Sequence, residues 1–308
     1  MGPQAVNRRE LILGAGAGLA LAACDAKTDV TQSLPPQINM TDMTPDKVRA
    51  ALSGFAVNAE SWWANLPFEE RFAAAAEAGF SHVEFWFISS WDRDARALAS
   101  QIKPTGLKVS QIVGDAPALG EAGTRELFLD NMKRAIEEAK ILKTDIVTIT
   151  GHQNVEGVDM SDALKRYSDH VAASVSLWED ARVYCAIEPF NPYNHPGHFI
   201  NGSADAIEIC RSINSPYVKL NWDLFHMQRT EGNVIDNLKK GADQICYMQM
   251  ADSPDRHQPG TGEMDYVNII NTARAVGYER PIGLELWAKD SDYDLAIADI
   301  LRLSMALN

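Results

Sequence analysis

The sequence predicts an α/β fold in a single domain, a closed (β/α)8 TIM barrel, and three observations lead there. Eight short apolar, strand-like runs alternate with amphipathic helical patterns from Phe55 to the C-terminus. Successive runs lie roughly 25 to 40 residues apart, the length of a strand–helix unit in a parallel sheet. Eight such units close a barrel of about 250 residues, a size that segment 51–308 matches. The competing architecture, an open doubly wound sheet, expects a glycine-rich turn after its first strand. Here "FAVNAESWW" brings Asn58, Glu60 and two tryptophans instead.

Residues 1–23 stand apart from that pattern. Arg8 and Arg9 precede an apolar stretch from Leu11 to Ala23, too short for a permanent membrane span but suited to an export signal. Gly14, Gly16 and Gly18 would weaken an ordinary helix there. The stretch "LAAC" (21–24) resembles a lipobox. The expectation is therefore a twin-arginine signal peptide and acylation at Cys24. The mature chain would be exported, in the periplasm or on the outer face of the cytoplasmic membrane, and touch the membrane only through its lipid. Loss of 1–23 removes two arginines and one glutamate, so the formal charge of −14 becomes −15. So acidic a chain, with no basic stripe, excludes nucleic acid as a partner. A small molecule is the expected partner, and an oligomer is compatible with the sequence. The other cysteines, Cys185, Cys210 and Cys246, have no framework spacing and read as small buried thiols.

Segment 24–50 reads as a tether followed by a short helix. "DAKTDVTQSLPPQINM" is polar and carries Pro35–Pro36, while "TPDKVRAAL" offers Thr44 as N-cap and Pro45 at the first helical position. Strand-like runs then follow at 55–58, 82–88, 107–113, 145–150, 183–188, 217–223, 245–251 and 281–287. Between them, helical patterns at 69–79, 124–142 and 161–181 repeat apolar residues at three and four, with polar faces opposite.

Chemistry in such a barrel sits at the C-terminal ends of the strands. Strands five to eight end on or beside Glu188, Asp223, Gln249 and Glu285. Three carboxylates converging there repel one another and lose solvation, a cost of several kcal/mol per ion unless compensated. A single divalent cation supplies the compensation. An acid in a solvated loop is the bland reading of any one of these residues, but not of four on consecutive strands. All four are hard oxygen donors, which suit Mg²⁺ or Mn²⁺ better than Zn²⁺.

From Phe55 to Trp287 the chain resembles the xylose-isomerase-like TIM barrels, and among them the hydroxypyruvate isomerase family. The resemblance rests on "RFAAAAEAGFSHVE", "EPFN" with "PGHF", "VKLNWDLFHMQ", "QMADSPDRHQPGTGEMDY" and "GYERPIGLEL". It implies metal ligation by Glu188, Asp223, Gln249 and Glu285, with the two glutamates also acting as acid and base. It further implies that relatives acting on larger sugars carry histidine where this chain has Gln249. Isomerising an α-hydroxy aldehyde to a ketone moves one proton between adjacent carbons through an enediolate. His226, one helical turn beyond Asp223, is a candidate to bond a substrate oxygen. Arg256 is a candidate bidentate clamp for a substrate carboxylate, against a bland reading as a solvated arginine. His152, after strand four, and Asn191, in a Pro-flanked turn, are further substrate-binding candidates. Glu84 reads as a positioning residue or a buried structural partner, and Trp62, Trp63, Trp86 and Trp287 as pocket walls or packing.

Export fits poorly with a housekeeping hydroxypyruvate isomerase, so an epimerase or lyase for an extracytoplasmic keto-sugar is the alternative. A lipid-anchored sugar-binding protein without catalysis would not need Glu188 and Glu285 as an acid–base pair. A multi-metal phosphodiesterase or abasic-site nuclease would need many histidines, and the chain has seven, mostly away from strand ends.

Overall fold

The computed structural model describes residues 43–307. The signal segment, Cys24 and nearly all of the tether lie outside the described residues. Among the described residues, nine parallel strands form one sheet: β1 (Phe55–Asn58), β2 (His82–Glu84), β3 (Lys108–Val109), β4 (Ile112–Val113), β5 (Ile146–Ile149), β6 (Tyr184–Ile187), β7 (Val218–Asp223), β8 (Ile245–Gln249) and β9 (Ile282–Leu284). Their order is β3-β2-β1-β9-β8-β7-β6-β5-β4, and every pairing is parallel. The terminal members β3 and β4 are two halves of the third predicted strand, 107–113, broken at Ser110–Gln111. One half pairs with β2 and the other with β5, so nine short strands fill eight barrel positions.

Strands buried on both faces need apolar residues throughout, and β1 and β5 are buried along their whole length. The expected strands 82–88 and 281–287 are too long. Pairing stops at Glu84 and Leu284, and the apolar residues that follow pack in loops above the sheet.

Among the described residues, eleven α-helices surround the sheet. They are α1 (Pro45–Leu52), α2 (Glu70–Glu77), α3 (Ala95–Ile102), α4 (Arg125–Leu142), α5 (Met160–Ala173) and α6 (Val175–Ala181), then α7 (Ser203–Ile213), α8 (Leu224–Thr230), α9 (Val234–Gly241), α10 (Tyr266–Ala275) and α11 (Tyr293–Ala306). The single helix expected over 161–181 is two helices broken at Ser174. The Ser174 hydroxyl donates to the Val171 carbonyl and accepts from Trp178 Nε1, which fixes the bend. Thr44 caps α1 as expected, accepting from the Lys47 amide, and Pro45 takes the first turn. That helix crosses the expected boundary at 50/51 and lies against α11, so it belongs to the barrel's outer ring. Trp62 is fully buried against Phe80 and Tyr293, a packing residue and not a pocket wall. Cys185, Cys210 and Cys246 are buried and free.

Candidate active site

Each acidic side chain stands where an apolar strand gives out at the C-terminal mouth. Glu188 follows β6, Asp223 and Gln249 end β7 and β8, and Glu285 follows β9. Register gathers them. Asp223 pairs with Gln249 and Gln249 with Gly283, so Glu285, two residues on, rises on the same face. Asp223 and Gln249 are 1% exposed, Glu188 and Glu285 6%.

The charge that compensates them within the chain is Arg256. Its Nη2 lies 2.9 Å from Glu285 Oε1 and 3.1 Å from Asp223 Oδ2. The guanidinium packs over Phe225 and Trp287, 4.9 and 5.4 Å from the ring centroids. Expected to face a substrate carboxylate, Arg256 here lies on two of the chain's own carboxylates. Burial still dominates: it pushes Glu188 well above the usual carboxylate range, reinforced by Glu285 and Asp223. Burial raises Glu285 to about 8 against the pull of Arg256, and it also moves Asp223 above its ordinary value. Burial alone would lower Arg256, but the surrounding carboxylates hold it above its ordinary value.

His226 opens α8, whose N-terminus is capped by Asp223. The Asp223 carboxylate accepts from the Phe225 amide at 2.7 Å and from the His226 amide at 3.3 Å. The histidine ring is fully buried, and burial, then Arg256, holds it neutral by lowering its pKa well below the usual value. Its tautomer follows from Asn191. That side chain's Oδ1 accepts from the Tyr193 and Asn194 amides, at 3.0 and 2.9 Å, so its Nδ2 must donate to His226 Nδ1 at 2.6 Å. The proton of His226 therefore sits on Nε2. That Nε2 has no hydrogen-bond partner and lies 3.7 Å from Glu188 Oε1 and 3.6 Å from Asp223 Oδ2.

Two of the expected substrate-binding residues already have partners within the chain. Asn191 is fully buried and its side chain meets His226. His152 is also enclosed: Nε2 donates to the Glu188 carbonyl at 2.9 Å, and Nδ1 faces His198 Nδ1 at 3.2 Å. With both nitrogens engaged, His152 braces the backbone of Glu188. Burial keeps it neutral, its pKa lowered to about 3. The histidines also sit differently from expectation, since loops bring His195 and His198 beside His152 and His226 around Phe190.

Beneath the carboxylates lies a second polar layer, and Glu84 is its hub. It accepts from Asn58 Nδ2 at 3.0 Å, Tyr247 Oη at 2.5 Å and Gln249 Nε2 at 2.9 Å. Burial raises its carboxyl to about 7, opposed by these three donors. Gly283 makes room for it, because a Cβ there would meet Glu84 Oε2 at 2.3 Å. Gln249 connects the layers. Its Nε2 also donates to Glu285 Oε2 at 2.6 Å, and its Oε1 accepts from Asn221 Nδ2 at 2.5 Å. Asn221 and Tyr247 precede Asp223 and Gln249 by two residues, the alternation that places them on the same inward face. That spacing is visible in the sequence and would have found them.

The donor set fits a divalent cation. When ionised, Glu188, Asp223 and Glu285 bring three negative charges against one guanidinium, and Arg256 already stands as a cation between two of them. Glu188, Asp223 and His226 can each bring one ligand atom within 4.8 Å of the others. The tautomer set by Asn191 argues against His226 in that group, since Nε2 carries a proton where a ligand needs a lone pair. Gln249 Oε1 keeps a second lone pair beyond its bond to Asn221, so four oxygen donors remain the better set.

A (β/α)8 barrel with this strand-end cluster belongs to a class of enzymes, and the relatives indicate which. The chain is 30% identical over 240 residues to a 2-oxo-tetronate isomerase of Cupriavidus necator, covering 75% of this chain and 91% of that one. It is 26% identical over 243 residues to the hydroxypyruvate isomerase of Escherichia coli, with 75% and 92% covered. This protein is an isomerase of small molecules. It belongs to the xylose isomerase-like TIM barrel family, whose model matches residues 72–305. Among solved structures it is similar to an AP endonuclease, family 2, from Brucella melitensis, at 27% identity and a TM-score of 0.73, covering 77% of this chain and 94% of that one. A 3-keto-D-glucoside 4-epimerase from E. coli shares the fold at 20% identity and a TM-score of 0.70, with 82% and 99% covered.

Proposed function

We propose that this protein is a metal-dependent isomerase that interconverts the aldehyde and ketone forms of a small hydroxy acid or sugar through an enediolate. The carrying observation is the buried strand-end cluster: Glu188 and Glu285 on either side of Asp223, with a cation already drawn between two of them. Glu188, Asp223, Gln249 and Glu285 would hold one divalent ion, Mg²⁺ or Mn²⁺ before Zn²⁺. When bound, such an ion stabilises negative charge developing on adjacent substrate oxygens.

The chain's own groups carry the proton. Burial raises the proton affinity of Glu188 and Glu285, so the one that is ionised takes a proton from carbon, the other, protonated, delivers its own proton to the neighbouring carbon, and exchange with solvent restores the pair. His226 offers its Nε2–H to a substrate oxygen, and Asn191 keeps that proton on the correct nitrogen. His152 holds the Glu188 backbone in place, and Glu84 holds Gln249. Arg256 is the group to meet a substrate carboxylate.

The nuclease reading draws support from the four gathered histidines. It is the weaker one. His152 and His198 face each other, His226 Nδ1 is engaged by Asn191, and a net charge of −14 repels a phosphate backbone. An epimerase or lyase for an extracytoplasmic keto-sugar would use the same acid–base pair, and the export signal expected of residues 1–23 favours it. A non-catalytic sugar-binding protein would not. Proton–deuterium exchange in D₂O tests the proposal across hydroxypyruvate, tartronate semialdehyde, a 2-oxo-tetronate, free ketoses and 3-keto-glycosides. Metal-dependent exchange with a small hydroxy acid is expected. Exchange confined to glycosides would transfer the assignment to the epimerase or lyase, and no exchange with any of them would end both.

A further inference from the structure

Arg256 is held by its backbone and loosely seated by its side chain. The Arg256 amide donates to the Asp252 carbonyl, and the Arg256 carbonyl accepts from the Trp287 amide at 3.0 Å. The Asp252 carboxylate pins the following loop by accepting from the Gly260, Gly262 and Met264 amides, at 2.9, 2.9 and 3.1 Å. Gly262 passes so close to Ser253 that a Cβ would lie 2.0 Å from its carbonyl oxygen. Arg256 itself is left-handed, with φ 62. A residue so fixed can move only its side chain.

That side chain is not seated as a permanent structural arginine would be. One nitrogen, Nη2, serves both Asp223 and Glu285, while Nε is buried with no hydrogen-bond partner. A guanidinium has five donors in a planar fork, and the fork's pairing with a carboxylate is strongest when two parallel bonds form. Here neither carboxylate receives two. The guanidinium rests between the rings of Phe225 and Trp287, and Trp287 is 38% exposed, so an apolar track leads from the carboxylates toward solvent. The same two carboxylates are among the proposed metal ligands.

Resting on that proposed metal site, we infer that Arg256 is a metal-displaceable plug. In the metal-free chain its guanidinium takes the cation's place between Asp223 and Glu285. Metal binding drives it off both carboxylates and frees its fork for the carboxylate of an anionic substrate. Two positive charges replace one between the acids, and the displaced guanidinium regains the bonding its present seat denies it. Metal therefore binds before substrate.

The test needs no turnover. Phenylglyoxal modifies accessible arginines, and peptide mass analysis reads its addition at Arg256. Mn²⁺ at saturation should speed that addition several-fold in the wild-type chain, with other arginines as internal controls. Arg256→Met keeps an unbranched apolar stem and removes the guanidinium that lies over Phe225 and Trp287. It should tighten Mn²⁺ binding by about tenfold or more, the worth of one charge-assisted hydrogen bond. It should also lower the Tm of the metal-free chain by several degrees while leaving that of the Mn²⁺-loaded chain at the wild-type value. The loaded comparison separates a plug from a permanent counter-ion, which would cost both states alike. If Arg256→Met cannot be prepared without metal, the loaded Tm and the phenylglyoxal result still decide. Wild-type protein that binds Mn²⁺ yet modifies at an unchanged or slower rate overturns the inference alone. Wild-type protein and variant that both fail to bind Mn²⁺ overturn the metal site with it.

Discussion

Glu285→Gln separates holding the site together from moving a proton. Both oxygens of Glu285 are engaged, Oε1 by Arg256 Nη2 at 2.9 Å and Oε2 by Gln249 Nε2 at 2.6 Å. A glutamine offers one acceptor in their place. With its oxygen toward Arg256, its amide nitrogen meets Gln249 Nε2, donor to donor. Turning Gln249 over only moves the conflict to Asn221 Nδ2, which now donates to Gln249 Oε1 at 2.5 Å. One buried hydrogen bond is lost, worth about 1–3 kcal/mol. Removing one of three mutually repelling carboxylates offsets part of that cost, so the variant should fold. The proposed basicity is gone, so solvent proton exchange should fall by about two to four orders of magnitude. Metal affinity should fall modestly, since one charged oxygen becomes neutral. Glu188→Gln should behave alike. NMR of substrate in D₂O, with metal content measured on the same sample, gives both quantities. A folded, metal-replete Glu285→Gln that exchanges at the wild-type rate removes Glu285 from the mechanism, and His226 becomes the next group to examine.

Three further outcomes are expected. Burial raises the Glu285 carboxyl from 4.5 to about 8 and moves Glu188 the same way, so the folded metal-free chain retains protons that the unfolded chain has released. Its stability must then fall as pH rises toward 8, whereas the neutral buried His152 and His226 act with the opposite slope only below 6.5. Metal-free Tm should therefore decline between pH 6.5 and 8, by an amount equivalent to about 1–2 kcal/mol from Glu285 alone and more with Glu188, and a rise across that window contradicts the burial argument. Asn191→Asp should move the His226 proton to Nδ1, which ¹⁵N shifts of the ring report, and should lower exchange with the fold intact; an unmoved proton refutes the tautomer assignment. Cys24→Ser should release the protein from membranes of its native host, and membrane association that survives the change defeats the lipid-anchor proposal.

Much of the site is legible along the chain because barrel strands advertise their ends. An apolar run that closes on a carboxylate or an amide marks the mouth, and "CAIE", "LNWD", "YMQ" and "GLE" do so in succession. What was not legible depends on neighbours distant in sequence. Glu84 on β2 meets Tyr247 and Gln249 on β8 across the barrel interior, a contact that no local pattern encodes. His152 reads as a substrate contact because it follows a strand, while its partner in the chain is the Glu188 carbonyl, and carbonyls leave no mark in the sequence. Asn191 looked like turn chemistry and is that too, since its Oδ1 closes the turn while its Nδ2 sets the tautomer of His226. The split third strand was hidden for a plainer reason: Ser110 and Gln111 do not interrupt the apolar run enough to announce a break in pairing.

On the proposed reading, proton transfer takes place at a cluster of strand-end carboxylates that holds a metal. The most direct measurement follows solvent exchange into hydroxypyruvate or a 2-oxo-tetronate while Mn²⁺ is titrated into metal-depleted protein. Exchange should be absent at the start, rise in proportion to added metal and level off at one equivalent per chain. Full exchange in the depleted protein, or a rise that ignores stoichiometry, would contradict the account.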